Sequence, residues 1–265
     1  MSGKRRTVTA TRYVMPFKEG GSLPGLVEAD DDGLYVVKFR GAGQGPKVLI
    51  AELIAARLAE ALELHVPEVV FMQLEAALGR AEPDSEIREL LKASVGLNLA
   101  LDYLPGSVTF DPIAGPFPDV AYASKLVMFD AFITNVDRTP KNPNMLCWHG
   151  GLWLIDHGAS LYFQHMWSAE DRLAGSQSAF NQINRHVLLP FAKELQKAAD
   201  ELRSRFNDAL FDDATAQIPS DWMTPDSGFE NIAALRTAYR SWLSARLAAL
   251  PIFLEEAERA RAQLV

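Results

Sequence analysis

The chain has 265 residues, a formal net charge of −8 at pH 7 and a hydrophobic content of 48%. This length and composition allow a sizeable core in one domain or in two small lobes. The acidic balance argues against direct binding to nucleic acid, because phosphate contacts require clustered lysine and arginine. The single cysteine, Cys147, excludes an internal disulfide framework. No apolar run approaches the roughly 20 residues of a membrane span, so we expect a cytoplasmic protein without membrane contact.

The beginning of the chain combines a basic cluster, a glycine-containing segment and a predicted β-hairpin. Lys4–Arg6 is too short for a targeting signal, so we expect a disordered, solubilising start. The glycines of Glu19–Gly25 let backbone N–H groups approach phosphates, although the segment lacks a G-x-G-x-x-G pattern. Two β-type runs, Leu26–Ala29 and Leu34–Phe39, flank a turn at Asp30–Gly33.

Lys38 lies in the second of these runs, and a glutamate in the next element is its expected partner. A lysine at this place is either an edge-strand residue that blunts aggregation or a ligand for nucleotide phosphates. The apolar spacing over residues 47–64 predicts a helix. Glu52 lies off the apolar stripe of that helix, where it is either solvated or paired with Lys38. The alanines that line its face favour the pair.

Two further apolar runs predict strands and a connection between two halves of the chain. Val66–Leu74 follows a proline, and Leu97–Leu104 ends in a Pro-Gly turn. An apolar strand that leaves into such a turn is where a hinge would lie, and its backbone groups at Tyr103 would bind adenine. We therefore predict two lobes, with residues 1–104 in the first and residues 105–265 in the second.

The centre of the chain predicts a helix, a polar loop and a second hairpin, in that order. Ala123–Thr134 has apolar residues mostly at helical spacing, and two apolar runs of strand length flank the turn His149–Gly151. These runs are Met145–Trp148 and Leu152–Ile155. The loop is rich in turn formers, and such loops usually carry no chemistry. Asp156 favours a functional interpretation, since a carboxylate has no structural reason to follow four apolar residues.

Three polar side chains of this region form a pattern suited to phosphoryl transfer. Asp137 precedes Asn142 by five positions, and Asp156 stands shortly before a glycine. In protein kinases an Asp accepts the proton of the attacking hydroxyl, an Asn five residues later holds one Mg²⁺, and a second Asp holds another. The spacing favours Asn142 as the metal ligand, with Asn144 as the alternative.

The C-terminal part of the chain is predicted to be helical. Apolar spacing indicates helices over residues 186–207, 229–250 and 251–264, and residues 218–225 are a loop whose aromatic residue packs inward. A zinc or hydrolase site at His157 and His165 is an alternative to the kinase pattern. It lacks a third ligand and a nucleophile motif in the sequence.

Five motifs together resemble the HipA-like kinase family, atypical bacterial Ser/Thr kinases related at fold level to protein and phosphatidylinositol kinases. The motifs are Gly20-Gly-Ser22, Tyr35-Val-Val-Lys-Phe39, Glu52-Leu-Ile-Ala55, Asn135-Val-Asp-Arg138 with Asn142, and Leu152-Trp-Leu-Ile-Asp-His-Gly158. Two positions depart from conventional kinases. Asn135 replaces the histidine of His-Arg-Asp, and His157 replaces the phenylalanine of Asp-Phe-Gly.

The resemblance implies an α+β, bilobal, protein-kinase-like fold with a small β-rich N-lobe and a mostly helical C-lobe. We expect the short form of the family, without an extra N-terminal domain. The implied cofactors are ATP and Mg²⁺, with Asp137 as the catalytic acid/base and Lys38 on the ATP phosphates. The implied metal ligands are Asn142 and Asp156, and the other implied nucleotide-site residues are Gly20, Gly21, Ser22, Glu52 and Tyr103.

The expected function is that of an ATP- and Mg²⁺-dependent phosphotransferase, a protein serine/threonine kinase of toxin-like or stress-regulatory type. Its expected partners are a protein substrate and a regulatory protein such as an antitoxin. Two alternatives stay open from the sequence. One is a pseudokinase that binds nucleotide or serves as a scaffold, which the complete set Lys38, Asp137, Asn142 and Asp156 disfavours. The other is a small-molecule kinase, which shares the same chemistry.

Overall fold

The structure is a computed structural model that describes residues 5–17, 23–43, 45–80, 82–168, 170–224 and 229–264. Its N-terminal half contains a closed five-stranded barrel with the strand order β1-β2-β3-β5-β4. Neighbouring strands are antiparallel except β1 and β4, which pair in parallel. The strands are β1 (Thr7–Pro16), β2 (Gly25–Ala29), β3 (Leu34–Lys38), β4 (Val69–Leu74) and β5 (Gly96–Asp102).

The barrel encloses its own apolar core. Val27, Val37, Val70 and Ala100 are fully buried there, because alternate side chains of each strand point to the barrel interior. Lys38 follows Val37 in β3 and therefore points out of the barrel. Two helices accompany the barrel, α1 (Pro46–Ala61) and α2 (Ser85–Ala93).

Helix α1 is buried nearly all round. Ten of its sixteen residues are buried, and all of them except Glu52 belong to the large core that also contains the C-terminal helices. A helix that is apolar on every side is expected to lie inside a protein, and α1 lies between the barrel and the helical half. A polar residue on α1 is therefore placed in the interior of the molecule.

The C-terminal half is mostly helical, with one three-stranded sheet in the order β6-β7-β8. Phe132, at its centre, packs against Phe206, Phe211 and Phe253. The elements are β6 (Val108–Thr109), α3 (Val120–Ile133), β7 (Met145–Trp148), β8 (Gly151–Leu154), α4 (Leu195–Arg205), α5 (Asp208–Ala216), α6 (Ile232–Ala248) and α7 (Leu250–Ala262). The predicted α+β class, with a β-rich first part and a helical second part, is confirmed.

Several predicted elements are confirmed, and others differ for identifiable reasons. The two predicted hairpins, α1, α3 and the last two helices are present with boundary shifts of a few residues. The sequence interpretation missed β1, α2, β6 and α5. In the described part of the predicted loop, residues 218–224, the aromatic residue points inward as expected, since Trp222 is 2% exposed and donates to the Leu97 carbonyl at 2.9 Å.

The helix predicted over residues 186–207 is wrong in its first half. The structure has short 3₁₀ turns at Asn181–Arg185 and Leu189–Phe191, and α4 begins only at Leu195. Tertiary hydrogen bonds hold this segment in another form: the Val187 N–H donates to the Arg138 carbonyl at 3.1 Å. Pro190 also lacks the N–H that a continuous helix would need.

The expectation of a disordered basic start is wrong for Arg5 and Arg6. Arg5 forms an ion pair with Glu60 at 2.8 Å, and Arg6 forms ion pairs with Glu68 at 2.8 Å and with Asp31. These arginines connect the beginning of β1 to the rest of the N-terminal half. In the described residues, no helix has the length and apolar character needed to cross a membrane.

Arg246 of α6 is a fully buried cation bonded only to backbone carbonyls in the described structure. Its guanidinium donates to Ala131 at 2.7 Å and Phe132 at 3.2 Å, in the last turn of α3, and to Ser176 at 3.0 Å. It also lies 4.1 Å from the Phe253 ring centroid. Burial lowers the pKa of Arg246 to about 9. The side chain joins the segment after Asp156 to the helix that leads into the polar loop.

Replacing Arg246 with methionine should destabilise the protein by about 3 kcal/mol, because several buried carbonyls lose their donor at once. The matched control is Arg240→Met on the same helix, whose ion pairs with Asp208 and Asp212 are partly exposed and worth at most about 1 kcal/mol. Urea unfolding of both variants gives the comparison. Equal losses would contradict the assigned role of Arg246.

Candidate active site

The centre of the site is an ion-pair cluster that joins the two halves of the chain. The Lys38 Nζ atom of β3 lies 2.6 Å from Glu52 Oε2 of α1 and 2.7 Å from Asp156 Oδ1, after β8. Burial disfavours the ammonium, but the attraction of Asp156 and Glu52 is stronger and raises the pKa of Lys38. Of the two alternatives for Lys38 and Glu52, the structure contains the pair, and Glu52 is fully buried.

The loop after β8 presents Asp156 at the end of a short irregular stretch. The strand ends at Leu154, and Asp156 has a left-handed backbone with φ of 57°, a conformation that aspartate tolerates better than most residues. At Gly158 an added Cβ would come within 2.5 Å of Val48 Cγ1, so the loop lies directly against α1. The Asp156 side chain remains 44% exposed. It is therefore accessible to a ligand.

The polar loop after α3 brings one acid and two amides together. Helix α3 ends at Ile133, and the left-handed backbone of the next residue, Thr134, turns the chain into the loop. Asp137 Oδ2 accepts hydrogen bonds from Asn142 Nδ2 at 2.7 Å and from Asn144 Nδ2 at 3.2 Å. Among the described residues, no donor binds the Oδ1 atom of either amide. Each amide oxygen is thus left for another partner.

A buried hydrogen-bond network around Asp130 supports this loop on the side that faces the protein interior. Asp130 of α3 accepts hydrogen bonds from Arg138 Nε at 2.5 Å, His186 Nε2 at 2.9 Å and Asn135 Nδ2 at 3.1 Å. Burial opposes the carboxylate, but Arg138 and His186 hold the pKa of Asp130 below its ordinary value. Arg138 Nη1 also donates to the Asn144 carbonyl at 2.5 Å. The residues flanking Asp137 are therefore fixed by buried charges.

Asp130 and His186 are supporting residues that the sequence interpretation did not identify. His186 falls inside a region that was predicted to be a regular helix, and Asp130 lies in the apolar second half of α3. An acid within the apolar run Leu126–Ile133 is the signal that would have indicated a buried partner.

The predicted hinge connects β5 to the helical half, and the Tyr103 N–H is already in use there. It donates to the Leu34 carbonyl at 2.9 Å. The neighbouring Leu104 N–H makes no hydrogen bond within the part of the chain that the structure describes. The predicted phosphate-loop residues Gly20, Gly21 and Ser22 lie outside the described residues.

Two other features do not belong to this site. A cavity of about 580 Å³ lies at the β7–β8 turn, lined by Phe117, Tyr122 and Trp148 among others, whereas Asp156 follows the other end of β8. Over the described ranges, no group of three or more His, Cys, Asp or Glu side chains could hold a metal ion. The alternative zinc site at His157 and His165 therefore finds no third ligand of these types there.

Comparison with known proteins assigns the chain to a family. The pattern of the HipA-like kinase family matches residues 11–246, which is most of the sequence. The chain belongs to the HipA-like kinase family. Membership supports a phosphotransferase that uses a nucleotide and acts on a substrate. A search of curated proteins found no match.

The fold is similar to that of a solved kinase structure. The Helicobacter pylori proinflammatory kinase CtkA superposes with a TM-score of 0.59 over 98% of each chain, at 12% sequence identity. At this identity the likeness establishes the fold alone. The predicted kinase-like fold and the predicted family are both confirmed.

Replacing Asp130 with asparagine should destabilise the protein by about 3–5 kcal/mol at pH 7, because Arg138 would remain buried without its carboxylate. The pKa of Asp130 is lower in the folded than in the unfolded state. Its contribution is therefore present above the unfolded value, near pH 4, and is lost as the pH falls through the lower folded value. The difference between wild type and variant should shrink only below about pH 4.

Urea unfolding at pH 7 and at several values below pH 4 measures this difference. The control is Asp171→Asn at an exposed position, which should change stability little at any pH. A difference of less than about 1 kcal/mol at pH 7 would refute the supporting role of Asp130.

Proposed function

We propose that the protein is an ATP- and Mg²⁺-dependent kinase that transfers the γ-phosphate to a serine or threonine hydroxyl of a protein substrate. The observation that carries the proposal is the Lys38 ammonium held between Glu52 and Asp156. Lysine of β3, glutamate of the following helix and an Asp-x-Gly aspartate form the set that protein kinases use around ATP.

Lys38 would bind phosphate oxygens of ATP, and Glu52 would keep its ammonium in position. The geometry supports this division of roles, because Glu52 is fully buried whereas the Asp156 side chain is 44% exposed. The contact with Glu52 is shielded from water. The contact with Asp156 lies at the open side, where an anionic ligand can replace or share it.

Asp156 and Asn142 would hold Mg²⁺, which supplies neutralisation of the charge on the transferred phosphoryl group. A carboxylate and an amide oxygen are hard donors of the type that Mg²⁺ prefers, and it commonly binds to one or two carboxylates together with substrate phosphates. Asn142 Nδ2 donates to Asp137, so its oxygen is left for the metal. Asn144 has the same bond and remains the alternative ligand.

Asp137 would accept the proton of the attacking hydroxyl. Two amide N–H groups orient its Oδ2 atom, and the buried Asp130–Arg138 pair fixes the backbone beside it. For adenine, we propose the Leu104 N–H as the donor in place of Tyr103, because the Tyr103 N–H is bonded to Leu34. Gly20, Gly21 and Ser22 remain the proposed phosphate loop.

The proposal of a protein substrate, and of a regulatory partner such as an antitoxin, follows from the resemblance described in the sequence. The complete set of Lys38, Glu52, Asp137, Asn142 and Asp156 supports an active enzyme over a nucleotide-binding scaffold. The acceptor is identified by incubating the protein with γ-labelled ATP and a cell lysate and mapping the labelled residues. Label on serine or threonine of a protein supports the proposal, and label only on small molecules contradicts it.

Replacing Asp156 with asparagine should remove the dependence of ATP affinity on Mg²⁺, since the variant loses the charged metal ligand. Calorimetry with ATP, in Mg²⁺ and in EDTA, measures the dependence for both proteins. Asp200→Asn at an exposed position is the control and should behave as wild type. Wild-type affinity that is equal in Mg²⁺ and in EDTA would contradict the proposed metal site.

Replacing Asp137 with asparagine should lower kcat by roughly 10²–10⁴, the range for loss of a general acid/base, and leave ATP affinity nearly unchanged. The expected split arises because Asp137 would act on the hydroxyl acceptor and not on the nucleotide. Phosphate transfer and calorimetry are measured on the same preparation. Normal turnover in this variant would mean that Asp137 is only a loop residue.

A further inference from the structure

His157 directly follows Asp156, at the position where conventional kinases have the phenylalanine of Asp-Phe-Gly. It is 1% exposed, and its ring stands edge-on to Phe129 of α3 with a centroid distance of 6.0 Å and an interplanar angle of 77°. An aromatic ring is therefore retained at this position. The histidine adds a polar atom that a phenylalanine would lack.

That polar atom reaches the glutamate that holds Lys38. The His157 Nδ1 atom lies 3.4 Å from Glu52 Oε1, whereas Lys38 Nζ lies 2.6 Å from the other oxygen, Oε2. Glu52 is fully buried, and a buried carboxylate oxygen without a donor is costly. Among the described residues His157 supplies the donor to Oε1.

The contacts form a closed cycle through three separate elements. Lys38 of β3 contacts Glu52 of α1, Glu52 contacts His157, and the adjacent Asp156 returns to Lys38 at 2.7 Å. The contact between Gly158 and Val48 holds the same loop against α1. The loop that carries Asp156 is thus attached to α1 by one polar and one close-packed contact.

We propose that His157 is a positioning residue whose hydrogen bond to Glu52 couples the carboxylate behind Lys38 to the loop that presents Asp156. The coupling orients the phosphate-binding and metal-binding groups together. Its effect on ATP affinity rests on the proposed function. The coupling itself is a property of the chain without ligand, so the two can be tested separately.

The first test compares two variants of His157, one that removes only the hydrogen-bond donor and one that removes only the aromatic ring. His157→Phe keeps the ring against Phe129 and removes the donor, whereas His157→Asn removes the ring and keeps an amide nitrogen near the Nδ1 position. We expect ATP affinity in Mg²⁺ to fall roughly tenfold in His157→Phe, the size of a lost hydrogen bond to a charged group. His157→Asn should retain affinity within about threefold of wild type, since its donor is kept.

A third variant, His157→Gln, guards against the case in which the phenylalanine variant does not fold. Its amide lies near the Nε2 position, away from Glu52, so it should lose affinity as His157→Phe does. If His157→Asn is as weak as the other variants, the ring and not the hydrogen bond matters, and the proposal is overturned. Wild-type affinity in both His157→Phe and His157→Gln overturns it as well.

The second test needs no nucleotide. Melting temperatures of the unliganded wild type, Glu52→Gln, His157→Phe and the double variant form a cycle. If the two side chains are coupled, the double variant should lose clearly less than the sum of the single losses. Additive losses would overturn the coupling. If wild type fails to bind ATP, the proposed function is wrong, and this cycle still decides the role of His157.

Discussion

A single buried ammonium group organises the site. Lys38 Nζ lies between Glu52 and Asp156, which come from elements more than a hundred positions apart in the chain. A buried ammonium needs partners that offset its charge and accept its hydrogen bonds, and here both partners are carboxylates, so the barrel strand, α1 and the loop after β8 meet at this point. The two carboxylates differ in exposure: Glu52 is shielded, and Asp156 faces the open side. Because of this difference, Glu52 would stay paired with Lys38, whereas a ligand could share Lys38 with Asp156.

Helix α1 is the fixed reference of this arrangement. It is buried in the core that also contains α3 and the C-terminal helices, while the barrel has a separate core. Glu52 therefore has a fixed position relative to the helical half, and Lys38 contacts it from the strand β3 of the barrel. Val48 and Glu52 of the same helix also contact Gly158 and His157. One helix thus positions both the proposed phosphate-binding lysine and the proposed metal-binding loop.

The parts of the site that the sequence predicts are those encoded by local patterns. Strand alternation located Lys38, and residue spacing paired Asp137 with Asn142. The alanine-lined face of α1 indicated a partner for Glu52. The support beneath the loop depends instead on contacts between distant segments, such as His186 with Asp130, where the local pattern suggested a helix. Arg246 was missed for the same reason. Its partners are backbone carbonyls, which every residue has, so no sequence pattern indicates them.

The polar loop after α3 shows why its composition is misleading when it is considered alone. Turn-forming residues usually produce mobile surface loops, yet the proposed function requires this loop to hold Asp137 and Asn142 in a fixed relation. The structure meets the requirement with buried charges, because Arg138 binds Asp130 and the Asn144 carbonyl at once. Apolar packing could not do this and also leave the other side of the loop polar and open, as the proposed function requires. The buried Asp130–Arg138 pair fixes the inner side of the loop, and the bonds from Asn142 and Asn144 to Asp137 fix its outer side. Neither set of contacts covers the outer side with apolar groups.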